Sequence, residues 1–214
     1  FSIKTGPWSD PTVWSTGVVP SLSDDVVIQQ TFTVTVNSNA SAHNFAVNSG
    51  GAVTLNSTNL LTVAGTASNS GTTTCSNDNI VLTGTVSLSG TWCGLRVTGA
   101  TTLSGTLSVG LLNIAGGSIA NPGVTLNATT LQTTLGGTLG MSSANANVNV
   151  SGNVSFNGGT ETGLLSAGTL SVGGNFSVGT GAMYDAAAAH VTLFTGSNAQ
   201  TIGWTTPVAG VGFG

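Results

Sequence analysis

The chain has 214 residues, and only eight carry a formal charge: Lys4, Arg96, five aspartates and Glu161. Two basic residues cannot build a phosphate-tracking surface, so nucleic-acid partners are excluded, and no apolar run approaches the roughly 18 residues of a membrane-spanning helix, so no membrane insertion is expected. Gly, Thr, Ser and Asn (32, 35, 25 and 19 residues) make up about half the sequence beside 39% apolar residues, the composition of a β-rich extracellular domain rather than of a disordered chain.

Phe1 is not an initiator methionine, as expected of a chain whose secretory leader has been removed. Residues 1–25 read as a cap or entry segment. Trp8 and Trp14 suit a plug over the end of an apolar core, and stacking on sugar rings is the alternative use for them. From residue 26 onward, short alternating segments are broken by Gly, Asn and Ser, and strong helix formers are scarce. Aligned, these segments expose a motif φ-x-φ-x-G, with φ apolar. It occurs at Leu61–Gly65, Ile80–Gly84, Leu95–Gly99, Leu112–Gly116, Val148–Gly152 and Leu170–Gly174. The starts are separated by 19, 15, 17, 36 and 22 residues, and counting 36 as two steps gives a mean period of about 18.

Short strands at such a period mean a solenoid. Both φ positions face one side and x, mostly Thr, Ser or Asn, faces the other. Glycine then permits the corner. About 18 residues make three faces of about six, and coils stack at about 4.8 Å, so residues 26–204 would give roughly ten coils and a rod about 50 Å long. The expected fold is an all-β, single-stranded parallel β-helix. A sandwich would need longer strands and paired hairpins, and the one Asn-Gly dipeptide, Asn157-Gly158, falls inside a repeat.

Cys75 and Cys93 are 18 residues apart, one mean period. Equivalent positions on stacked coils lie within the Cα window of a disulfide, which favours a bridge over two separate thiols and implies an oxidising compartment. Six N-x-S/T sequons, at Asn39, Asn56, Asn127, Asn149, Asn153 and Asn175, are about what this composition gives by chance.

The segment Trp8-Ser-Asp-Pro11-Thr-Val-Trp14, followed by Gly17-Val-Val-Pro20 and Asp24-Asp25-Val-Val-Ile28, resembles the opening of many large secreted bacterial parallel β-helix proteins. There, W-x-x-P-x-x-W and G-x-x-P lead into the first coil. The stretch Val191–Ile202 is similar to a G-x-x-x-Q-T-I repeat of the same group, and the coil length resembles adhesin passengers of the filamentous-haemagglutinin type. The resemblance implies a bacterial surface or extracellular location, with a further coil starting after Gly214. It is silent on activity, since such solenoids serve as adhesins, fibre subunits and enzymes.

Catalytic patterns are sparse. The polysaccharide lyases on this fold need a base beside clustered acids, and neither Lys4 nor Arg96 has such a cluster adjacent in sequence. Asp24 and Asp25 would point to opposite faces of a strand, and Asp10, Asp78, Glu161 and Asp185 are mutually distant. His43 and His190 stand in no motif. Asn77-Asp78-Asn79 suits Asx corners better than a Ca²⁺ site, and Arg96, at an x position, is expected to face solvent. The T-x-T pattern of an ice-binding face does not recur at every x position. No enzyme activity, cofactor or metal is expected.

The expected function is a structural β-solenoid whose partners are copies of itself, end to end or lateral, with extracellular glycans as the alternative ligand. Residues 205–214 are an apolar extension in which Val208, Val211 and Phe213, without a nearby charge, are candidates for self-association.

Overall fold

Strand alternation sets the architecture. In segment after segment, such as Val26–Ile28, Phe45–Val47 and Leu61–Val63, the outer two side chains are buried and the middle one is not. Three residues cannot pair with themselves, so each segment buries its apolar side only by stacking on the next coil. A computed structural model describes residues 1–56 and 58–206, and it is a parallel β-solenoid. Val208, Val211 and Phe213 lie outside the described residues.

Each coil has three faces. In the first coil these are Val26–Ile28, Thr33–Val36 and Ala40–Ala42. The third face keeps one continuous register: Ala40, Leu61, Ile80, Leu95, Leu112, Leu131, Val154, Phe176 and Ile202 stand one above another. Its eight steps run from 15 to 26 residues and average about 20. The expected period of 18 and ten coils are therefore corrected to about 20 and eight turns, and the expected length to about 40 Å at 4.8 Å per step. The cause is a change of face within the sequence motif. Leu61, Ile80, Leu95 and Leu112 lie on the third face, but Val148 and Leu170 lie on the second, in the register Leu107–Leu126–Val148–Leu170–Thr192.

The inward side chains form one core, from Trp8, Phe45 and Trp92 at one end, through Val, Leu and Ile, to Phe156, Phe176 and Tyr184 at the other. Glycine at the corner after the third face is required by close stacking. A Cβ on Gly84 would collide with the carbonyl of Ala64, and one on Gly137 with that of Ile114.

The second face is interrupted once. Gly6–Pro7, Thr33–Val36, Ala52–Leu55 and Thr72–Thr74 form a four-stranded sheet of their own, and the strand Val86–Val97 above belongs to the main sheet. The Cys75–Cys93 disulfide crosses this break, with its Cα atoms 5.5 Å apart. It closes an 18-residue loop, worth about 3 kcal/mol in the chain-entropy model. Replacing both cysteines by serine should lower the urea midpoint, with a loss of about that much stability and a steeper slope because the unfolded chain expands. An unmoved midpoint would mean that packing alone holds the break.

Candidate functional site

The N-terminal segment lies across the start of the core. Pro7 locks an extended backbone, and Gly6–Pro7 pairs below Thr33–Val36. The amide of Ser2 donates to the carbonyl of Val27, and that of Trp8 to the carbonyl of Thr35. Asp10 caps the 3-10 turn Pro11–Val13 by accepting from the amide and hydroxyl of Thr12, which hold its carboxyl below the usual range. The turn brings Trp14 edge-on to Trp8 at 4.8 Å, and Trp8 continues onto Phe45 at 6.1 Å. The two indoles are 1% and 2% exposed, so a sugar could stack on them only if the cap opened.

The charged side chains are placed structurally. Lys4 lies 3.4 Å from Asp10, Asp24 accepts from the amide and hydroxyl of Ser21, and Asp25 accepts from Asn44 and lies 3.4 Å from His43. Arg96 is not the idle solvent-facing side chain expected from its x position. Its guanidinium grips Asp78 with two 2.9 Å bonds, and Asn113 on the next coil donates to the same carboxylate at 2.8 Å. Burial would push the Asp78 carboxyl up, but these donors outweigh it and hold the group below its ordinary value. Asp78 and Arg96 are 18 residues apart, the cysteine spacing, so one coil step sets both pairs. Asn79 donates to the carbonyl of Asn59, a ladder contact between corners. Among the described residues no three His, Cys, Asp or Glu side chains converge as a metal site.

Near the C-terminal end lies a buried polar group that has no sequence signature. Glu161 is 0% exposed, with Oε2 accepting from the Leu139 amide at 2.9 Å and Oε1 lacking a partner. Desolvation pushes its carboxyl up to about 8, and the Leu139 bond only partly counters this. On the next coil the Tyr184 hydroxyl lies 2.6 Å from Thr192 Oγ1 and 3.1 Å from His190 Nε2. His190 Nδ1 lies 3.1 Å from the Ala167 carbonyl, so the neutral ring donates there and accepts from Tyr184. Burial lowers the pKa of His190 and raises that of Tyr184. Neutral and sealed in the core, these groups fix the packing of the last coils.

Two surface features emerge only when faces are separated. Thr35, Thr54 and Thr74 stack in register on the four-stranded sheet beside Thr33, Ala52 and Thr72, so T-x-T is present at two of these three levels and broken by Ala52 between them. Farther along, a groove of about 620 Å³ follows the bend between the second and third faces, from Thr91 to Thr195.

Comparison of the chain with family models, curated proteins and solved structures gave no match. The parallel β-solenoid expected from the repeat and from the resemblance is present.

Proposed function

We propose that this chain is a non-catalytic structural β-solenoid of a bacterial surface adhesin, fibre or matrix, which associates with copies of itself. The observation that carries the reading is the set of exposed apolar side chains on the last described strands, far from the tryptophan plug. The N-terminal end is closed by Trp8, Trp14 and the strand at Gly6–Pro7. At the other end, His190–Phe194 and Ile202–Trp204 are followed by no further strand among the described residues. Val191, Leu193 and Ile202 are about half exposed there, and no formal charge follows Asp185 in the sequence. Exposed apolar side chains on neighbouring strands, without a repelling charge, suit packing against another chain. A contact between unlike ends repeats into filaments. The disulfide supports an extracellular setting.

Electron microscopy of native material should show fibres with an axial repeat of roughly 45 Å, about nine coil levels. Leu193→Lys with Ile202→Lys, both at exposed positions, should leave single rods. Wild-type protein that stays monodisperse and monomeric at high concentration would overturn self-association.

A further inference from the structure

We propose that the groove between the second and third faces binds a neutral, linear polysaccharide lying along the solenoid axis. In the first coils the bend between these faces is occupied by corner residues 58–60 and 75–79. Beyond the disulfide, Val86–Val97, Ala100–Ala115 and Thr125–Thr134 run through the bend as unbroken strands. The corner loop is thereby removed on these levels, residues 151–153 and 173–175 make only short corners on the next two, and a trough remains.

Its wall is a register line of hydroxyls and amides: Thr91, Ser108, Asn127, Asn149 and Ser171. Five levels at about 4.8 Å cover about 20 Å, and the spacing is close to the length of one hexose ring in an extended chain. Asn149 Nδ2 donates to Asn127 Oδ1 at 3.0 Å, which orients both amides along the trough. Beside this wall Val109, Ala128 and Val150, core side chains 6%, 6% and 2% exposed, leave only a narrow aliphatic strip at the floor. Hydrogen-bonding groups on one side and aliphatic surface on the other match the hydroxyl rim and C–H faces of a sugar.

Charge decides between polymers. No acidic or basic side chain lines the groove, so nothing compensates the desolvation of a phosphate or carboxylate. A volume of about 620 Å³ is in the range of ligand sites, and its shape is a channel across stacked coils rather than a closed pocket. Side chains held on strands lose little freedom on binding. Without an exposed aromatic platform each sugar binds weakly, so affinity must accumulate with chain length.

The test is calorimetric titration with neutral hexasaccharides (β-1,4- and β-1,3-glucan, xylan, chitin-type and α-1,4-glucan) beside oligogalacturonate. The expected result is binding of at least one neutral hexamer, with its dimer at least about 10-fold weaker. Asn127→Ala with Asn149→Ala, which removes the amide ladder from outward positions, should weaken binding about 10-fold. Thr129→Trp should fill the trough and abolish binding, while Ser68→Trp, exposed on the first face, should leave it unchanged. Thermal melts establish that each variant is folded, and the alanine pair remains decisive if the Thr129 variant is not. The proposal is overturned if no neutral hexamer binds at about 10 mM, if binding survives the groove substitutions in folded protein, or if oligogalacturonate is preferred.

Discussion

Between pH 6.5 and 8 the protein is expected to lose about 1.5 kcal/mol of stability, and Glu161 is the cause. The carboxyl titrates at about 8 in the folded chain against 4.5 when unfolded, because its charged form is desolvated in the core. The folded state therefore holds the proton more tightly, so this group favours folding most at low pH. Its contribution declines once pH exceeds 4.5 and reaches its full penalty above 8, on the order of 4 kcal/mol across the window. His190 acts in the opposite direction below its ordinary value of 6.5, since its lowered pKa means that the unfolded chain takes up the proton first. Above 6.5 the Glu161 slope stands alone. Glu161→Gln keeps an acceptor for the Leu139 amide and removes the charge. Urea unfolding should find this variant more stable than wild type by about 3 kcal/mol at pH 8.5 and nearly equal to it at pH 5. A wild-type midpoint that is flat from pH 6.5 to 8.5 would refute the assignment.

What the sequence reveals of this fold depends on local regularity. The alternation φ-x-φ reports burial directly, so a parallel solenoid is legible from Leu61, Ile80, Leu95 and Leu112 alone. Coil number is less so, because Val148 and Leu170 carry the same motif on a different face; of the true third-face residues there, Leu131 and Phe176 lack its glycine, and Val154–Gly158, which has it, starts only six residues after Val148. The Cys75–Cys93 spacing is readable because two cysteines stand out. Asp78 and Arg96 obey the same spacing, but polar residues are expected outside, and the rule for x positions hides the pair. Glu161 is invisible for a third reason: it lies between the steps Val154 and Phe176, in the irregular Thr160–Thr162 corner, where alternation no longer tells inside from outside. The groove depends on which corners carry loops, and so on the register of all three faces together.

Phe176→Ala should be the most damaging single truncation near the C-terminal end, and the damage should stay there. Among the described residues the Phe176 ring has four aromatic neighbours: Tyr184 at 5.0 Å, Trp204 at 5.6 Å, Phe156 at 5.8 Å and Phe194 at 6.0 Å. Removing it leaves a cavity facing rings from three other strands and one bend, which cannot all close in, so a cost of about 3–5 kcal/mol is expected. In a solenoid each coil touches only its neighbours, and stability is a sum of local terms. The last coils should then unfold at lower denaturant, seen as early exchange of the amides in His190–Phe194 and Ile202–Trp204. The coils between Trp8 and Trp92, joined through Phe45 at 6.1 and 6.2 Å and crossed by the disulfide, should keep their protection. Phe45→Ala is the reciprocal experiment, since it cuts the link between the cap and Trp92 and should release the N-terminal coils first. If either substitution lowered protection equally from end to end, coupling between coils would exceed the stability of each one, and the rod would unfold as a single unit.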